Sequence, residues 1–509
     1  MSQLSEEWGF SVSQSDPFRI FALLQSTALE HNPELDIVDL SRGNPGEAFA
    51  PGVRAREFAS FLTFLDTKFN NSKRRFAESQ HGHEMAFIEE IGSWARSAYV
   101  PAVAERYLKD LSEFIQRSIA IGLDQGFDWS PYDILKFLFK SSLCSGGASQ
   151  NPQGELLTRV VLTWWHKQKL THDLRYDDVI VSSGASHAAG ALFKLLGQEG
   201  IQYLNPGDKV LVSSPIYSPY ISILESRGLD VVSISINPTN GEIETRSLDR
   251  LKKSKGVKLM ILSNPNNPSG FSMTRHTLEY LGQFAEKHDA LIVTDESYAD
   301  FFDEAPSIFD AHPQRTLRIQ SISKSERASG LRFGDLILTK EANDYLSQHL
   351  FKGLLPEGKD FKEAYLLAKG PGSTHGEFQS TCFVPGPSQI MALAHLLLGG
   401  QDRAEYFEAI EKNAEIFIKT LSLPHEACRY YLLFDLNEVE GTGKTELPAE
   451  QKIIELAKRG VIVLPANLFF SKEDREVKDR SNVVRVCLAN ASPVKIERAA
   501  KLIREYLTS

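Results

Sequence analysis

Between Asp177 and Thr339 the chain alternates short β-rich runs with helical stretches, and this alternation limits the fold more than any other feature. The runs are Val179–Val181, Lys209–Ser213, Val231–Ile236, Lys258–Leu262, Leu291–Thr294, Thr316–Gln320 and Leu336–Thr339. Strands separated by helices pair in parallel across helical crossovers, which produces a doubly wound sheet with helices on both faces. The expected fold class is α/β, a three-layer α/β/α large domain around a mostly parallel seven-stranded sheet. Ligands in such sheets sit beyond the carboxyl ends of the strands. The distinctive residues lie at those ends.

The first exit, Ser182-Ser183-Gly184-Ala185-Ser186-His187, opens a helix through Leu196. Small residues there expose backbone N–H groups at the positive end of the helix dipole, roughly 0.3–1 kcal/mol per charge. This is a phosphate site or an ordinary helix start. The second exit, Ser214 to Tyr220, holds Tyr217 between prolines, where its ring can stack on a flat cofactor or fill a core. The third, Ser263-Asn264-Pro265-Asn266-Asn267-Pro268-Ser269-Gly270, is a stiff doubled Asn-Pro turn that aims Asn267 toward a ring hydroxyl or phenolate. At the fourth, Asp295 ends a buried strand and needs a partner, because an unpaired buried charge costs several kcal/mol. A protonated pyridine nitrogen would serve and would stay an electron sink; a helix cap is the alternative. Tyr298 can donate to the ring oxygen.

The fifth exit runs from Ser321 to Arg332 and contains Lys324 with Arg327 and Arg332 beside it. A lysine becomes a nucleophile toward carbonyls when desolvation or a second cation lowers its ammonium pKa. An arginine fork among hydroxyls suits a phosphate. An internal Schiff base to pyridoxal phosphate requires both; the other reading is a solvated basic loop.

Elsewhere the chain divides by texture. Residues 1–51 form an amino-terminal arm and small-domain segment, with a helix at 17–30 and a strand Ile37–Leu40 running into Ser41-Arg42-Gly43-Asn44-Pro45-Gly46. Residues 52–150 read as a helical insert, with helices Arg54–Phe69, His83–Tyr99, Val103–Leu123 and Tyr132–Leu143. The large domain covers 151–400, with an excursion at 341–386. Residues 401–509 form a smaller α+β domain whose strand Val483–Leu488 carries Arg485 among apolar residues. A half-buried arginine wants an anion, a substrate carboxylate or an internal acid. Trp164-Trp165 reads as core.

The net charge of −10 argues against a nucleic-acid partner, which needs a basic face. No apolar run approaches the length of a membrane span, and the amino end lacks a signal peptide's pattern. Cys144, Cys382, Cys428 and Cys487 show no metal-ligand spacing. These features imply a cytoplasmic protein with reduced thiols and no metal.

Jointly, Gly184-Ala185-Ser186, Tyr217, Asn267-Pro268-Ser269-Gly270, Asp295 with Tyr298, Ser321-Ile322-Ser323-Lys324, Arg332 and Arg485 resemble, in order, the fold-type-I aminotransferases that depend on pyridoxal phosphate. The length, the insert, Arg42-Gly43-Asn44-Pro45 and Tyr430 to Leu436 are similar to the bifunctional aspartate aminotransferase/aspartate 4-decarboxylase group. The resemblance implies that Lys324 holds the cofactor and shuttles the α-proton, and that Asp295 pairs the ring nitrogen. Asn267 and Tyr298 hold the ring oxygen, Tyr217 stacks on the ring, and Gly184, Ala185, Ser186, Ser321 and Arg332 bind phosphate. Arg485 takes the α-carboxylate beside the backbone of Gly43, and Arg42 is the candidate for a side-chain carboxylate. A homodimer or larger homo-oligomer is implied, with an amino acid and a 2-oxo acid as small-molecule partners.

Three departures stand out. Arg327 replaces the usual glycine, adding a cation near the phosphate, pointing to solvent or changing the backbone. His187 stands where a small residue is usual, and Thr374-His375 occupies the place of a further arginine. Four functions therefore compete, namely amino-group transfer, β-decarboxylation, β- or γ-substitution, and a non-catalytic binding protein.

Overall fold

The computed structural model describes residues 17–46, 52–68, 84–140, 151–237, 240–369, 384–424, 429–443, 446–471, 474 and 482–509. Thr374-His375, Cys144, Cys382, Cys428 and the linker at 70–75 lie outside the described residues. The strands, in chain order, are β1 Val38–Asp39, β2 Val179–Ser182, β3 Lys209–Ser214, β4 Asp230–Ser235, β5 Val257–Ser263 and β6 Leu291–Asp295. They continue with β7 Thr316–Ser321, β8 Gly334–Ile337, β9 Tyr431–Asp435, β10 Val461–Ile462, β11 Leu464–Pro465 and β12 Val483–Cys487. A seven-stranded sheet has the order β2-β8-β7-β6-β5-β3-β4. The pairs β3–β4, β3–β5 and β5–β6 are parallel, whereas β8 runs antiparallel to β2 and β7. The expected mostly parallel α/β sheet is present, and all seven runs belong to it. Only the last run is displaced. The strand is Gly334–Ile337, because Leu338 and Thr339 leave the sheet and Thr339 caps the next helix through Ala342 N.

The chain forms two compact units. The first comprises 1–50, 204–312 and 405–509. In it β3, β5 and β6 are almost wholly buried, and β11, β12 and β9 form an antiparallel sheet. A core from Ile20 and Leu24 through Phe417, Phe434, Val484 and Val486 to Ile503 joins that sheet to the helices Pro17–His31, Gly400–Leu421 and Pro493–Thr508. Each fully buried Leu, Ile or Phe stabilises by roughly 1.5–3 kcal/mol.

The second unit comprises 51–203 and 313–404. The four helices expected in the insert are present as Val53–Lys68, Glu84–Ala98, Pro101–Asp124 and Pro131–Lys140. Their apolar stripes meet in one cluster with helix Gly386–Leu398, through Phe58, Phe61, Phe114, Leu135, Leu393 and Leu397. Trp164 and Trp165 pack against the same cluster, as expected of core residues.

Two polar groups are buried inside this unit. His166 Nε2 donates to Asp335 Oδ1 at 2.9 Å, and its Nδ1 accepts from Arg318 Nη1 at 3.0 Å. This tautomer ties helix Leu156–Lys167 to β8 and β7. The second group is His395, buried beside Glu326, whose Oε1 accepts from Arg403 at 2.6 Å. Burial, then the guanidinium groups of Arg327 and Arg403, push the His395 imidazole down to about 4.

His166→Ala would leave a buried arginine and aspartate without their bridge, so its unfolding free energy should fall by about 3–5 kcal/mol in a denaturant titration. For His395 the folded pKa lies below the unfolded value of about 6.5, so the unfolded chain binds an extra proton between those values. That contribution is complete above about pH 6.5 and is lost as pH falls toward 4. Urea unfolding across this window should therefore show a smaller decline for His395→Gln than for the wild type.

Candidate active site

In the first unit the site residues gather around the exits of β5 and β6. Asp295 is the last residue of β6, and its buried carboxylate is surrounded by donors. Oδ1 accepts from Ser297 N at 3.1 Å and Ser297 Oγ at 2.7 Å, and Oδ2 accepts from Tyr220 Oη at 2.8 Å. A carboxylate offers about four lone-pair sites, so one remains on Oδ2 for a further donor. Burial, then the neighbouring Asp295 charge, hold the Tyr220 phenol well above its usual pKa. It stays a donor. The sequence reading missed Tyr220, although it stands in the same loop as Tyr217, whose ring it meets edge-on at 5.9 Å.

The doubled Asn-Pro turn is built by its own side chains. Asn264 donates to Pro306 O at 2.7 Å and accepts from Met273 N at 2.7 Å. Asn266 donates to Pro215 O at 2.9 Å and accepts from Ser269 N and Oγ at 3.0 and 2.6 Å. Gly270 closes the turn at φ +75°, where a Cβ would collide with the Tyr431 carbonyl oxygen. Asn267 is left to reach out. Its Nδ2 donates to Tyr298 Oη and its Oδ1 accepts from Arg485 Nη1, each at 3.4 Å.

Arg485 lies mid-β12 with its guanidinium between the rings of Tyr431 and Phe469, at 4.7 and 4.8 Å. Its Nη2 donates to Ser41 O, while its buried Nε has no hydrogen-bond partner among the described residues. A fork held on both faces, with an unfilled donor, is suited to a carboxylate. Beside it, Gly43 O accepts from Tyr430 Oη at 3.1 Å and Tyr431 Oη at 3.3 Å, and the Tyr431 and Tyr298 hydroxyls lie 3.0 Å apart. The sequence pattern includes Tyr430-Tyr431 but assigns them no role. Arg42 is half exposed, paired with Asp39 at 3.1 Å and stacked on Phe21 at 4.0 Å.

The second unit holds the remaining candidates. Gly184, at φ +90°, precedes helix Ala185–Leu196, whose amino end has no side-chain cap. A Cβ at 184 would lie 2.8 Å from Arg332 Nη2, so glycine lets the guanidinium lie against the loop. Ala185 and Ser186 form the first turn. Ser321 Oγ accepts from Ser323 N at 3.0 Å and lies 2.7 Å from Ser323 Oγ, so the loop carries two adjacent buried hydroxyls. Lys324 follows them, half-buried. The uncapped helix end, the hydroxyls, Arg332 and the lysine are donors suited to a phosphate, whereas the Asp295 carboxylate is an acceptor suited to a protonated ring nitrogen.

Two of the three departures lie among the described residues and have local explanations. His187 Nδ1 accepts from Ser183 N at 3.4 Å, and burial, then the Lys369 charge, lower its pKa, so it is a neutral acceptor within the loop. Arg327 sits at φ +54°, the left-handed region that its expected glycine would favour and that costs a side chain roughly 1–2 kcal/mol. Its Nη2 donates to Asp402 O at 3.1 Å. That contact joins it to the start of helix Gly400–Leu421.

Among the described residues no cluster of His, Cys, Asp and Glu could hold a metal, and no helix is long and apolar enough to cross a membrane. Residues 149–503 match the model of aminotransferase class I and II. A bifunctional aspartate aminotransferase and L-aspartate β-decarboxylase of a Pseudomonas species is 28% identical over 288 residues, 52% of this chain and 53% of that protein. A probable kynurenine–oxoglutarate transaminase of Saccharomyces cerevisiae is 26% identical over 364 residues, 66% of this chain and 75% of that one. The chain thus spans about half the length of the first relative. The solved structure of a Thermus thermophilus aspartate aminotransferase double mutant has the same fold, with TM-score 0.60, 18% identity and 96% coverage of both chains. With the family pattern matched over most of its length, the chain belongs to the aminotransferase class I and II family.

Proposed function

We propose that this protein is a pyridoxal-phosphate-dependent enzyme that moves the amino group of an amino acid to a 2-oxo acid. The observation that carries the reading is the Asp295 carboxylate, buried, held by three donors and left with one acceptor site. Bound there, the cofactor would supply an electron sink for charge developing at a substrate α-carbon. Asp295 would keep the ring nitrogen protonated. Asn267 and Tyr298 would hold the ring oxygen, Tyr217 would cover one face, and Gly184, Ala185, Ser186, Ser321, Ser323 and Arg332 would hold the phosphate. Lys324 would hold the aldehyde carbon and afterwards carry the proton at the substrate α-carbon. Arg485 and the Gly43 backbone would orient the α-carboxylate.

The relatives' names and the retained lysine, aspartate and arginine support transfer between an amino acid and an oxo acid. Release of a β-carboxylate is the second reading, favoured by likeness to the bifunctional relative. Arg42 would have to exchange Asp39 for a substrate carboxylate to serve it. β- or γ-Substitution rests on the shared scaffold alone. A homodimer or larger assembly, a cytoplasmic setting and the division into arm, insert, large and small domains belong to the same proposal.

The purified protein should absorb in the visible range, and Lys324→Ala should lose that band; a colourless wild type that cannot be reconstituted would defeat the reading. A charge-assisted bond is worth about 1.5–3 kcal/mol, so Arg485→Ala should weaken amino-acid binding by roughly 10- to 150-fold. Cofactor affinity should stay unchanged in a fluorescence titration. Incubation with a panel of amino acids, with and without a 2-oxo acid, then decides the reaction. Alanine and CO2 from aspartate alone would select the lyase; an oxo acid formed only with an acceptor would select transfer.

A further inference from the structure

The lysine turn and the helical insert share one chain of polar contacts inside the second unit. Glu326 and Arg327, two and three residues beyond Lys324, each meet the start of helix Gly400–Leu421. Glu326 Oε1 accepts from Arg403 at 2.6 Å, and the Arg403 guanidinium stacks on Trp165 at 4.3 Å. Arg327 Nη2 donates to the carbonyl of Asp402. The Asp402 carboxylate turns the other way, and its Oδ2 accepts from Arg54 N in the first turn of the insert's first helix. The Arg54 side chain then fastens that helix to helix Pro101–Asp124, through Asp110 Oδ1 at 2.7 Å and Glu113 Oε2 at 2.5 Å. Glu113 is also paired with Arg117, which donates to Leu397 O.

The backbone adds an independent observation. Arg327 occupies a left-handed conformation in which glycine is at ease and a side chain is not. An arginine there is held by what its guanidinium touches, not by local preference. At the far end Gly52 leaves room for both partners, since a Cβ would lie 3.0 Å from Asp402 Oδ2 and 3.6 Å from Arg327 Nη2. Arg327 thus meets Asp402, and its charge also bears on His395, which is neutral above about pH 4.

We propose that the helical insert positions the lysine turn, with Arg327 and Glu326 as positioning residues linked through Asp402 and Arg403 to Arg54 in the insert. The proposal rests on the reading of Lys324 as the cofactor-bearing residue. Fastened in this way, helices Val53–Lys68 and Pro101–Asp124 hold the turn and set the geometry of the amine.

Arg327→Gly is the informative variant, because glycine suits φ +54° and only the guanidinium is lost. In cofactor-free protein, amide hydrogen exchange should rise by on the order of tenfold at both 322–332 and 52–60, and Arg327→Lys should restore protection at both. In protein loaded with pyridoxal phosphate, the pH midpoint of the visible band should move by about half a unit or more in Arg327→Gly, since hydrogen bonds and nearby charge tune a bound cofactor. Asp402→Ala should move it too, and it supplies the same two readouts should Arg327→Gly fail to accumulate. Exchange that rises at 322–332 alone overturns the proposal. So does exchange that rises at both places with the midpoint unmoved, which would mean a purely structural tie. Borohydride reduction of loaded wild type followed by peptide mapping tests the underlying reading separately. Label on a lysine other than Lys324 overturns that reading whatever the exchange shows.

Discussion

The carboxylate at the end of β6 cannot be solvated by water and cannot be left bare, so three donors of the surrounding chain converge on it. Two come from Ser297 in the turn that follows, and one comes from a phenol seventy-five residues earlier. The arrangement stabilises a negative charge and still leaves one acceptor position on Oδ2. That is the condition a protonated ring nitrogen needs, and Asn267, Tyr298 and Arg485 of the first unit are arranged about the same strand exits. Asn267, Tyr298 and Arg485 form a continuous hydrogen-bonded series, so each fixes the next one's direction.

The turn before Asn267 shows how rigidity is made from polar atoms. Asn264 and Asn266 look equivalent to Asn267 in the sequence, yet both bond to backbone and cannot reach a ligand. They act as staples. Arg485 follows another logic, with aromatic rings covering both faces of its guanidinium and a backbone carbonyl holding one end. A charge so enclosed keeps its geometry because rotation would break two cation–π contacts at once.

The alternation of β-rich runs made the sheet legible, since burial on both faces demands near-continuous apolar strands. The strand exits were legible for a related reason, because polar and glycine-rich residues after such a run have nowhere to go but a loop. Tyr220 and Tyr431 were not legible. Their partners lie 75 and 133 residues away, and an aromatic residue near a strand end is as well suited to a core. Ser323 stood in the pattern without a role for a smaller reason. It differs from Ser321 only in register, and the pairing of their hydroxyls depends on the turn's curvature.

Local chemistry was enough to determine the α/β class and the order of the strands along the chain, and it singles out the lysine, aspartate, asparagine and arginine of the proposed site. Each declares itself through a run of neighbours within about ten residues. Three-dimensional packing decided what each of those groups touches, from which asparagine is free to reach and which phenol serves Asp295 to why an arginine tolerates a glycine's conformation at 327. Those outcomes depend on contacts between distant segments, where the cost of burying a charge or straining a backbone is met by a partner that no local pattern names.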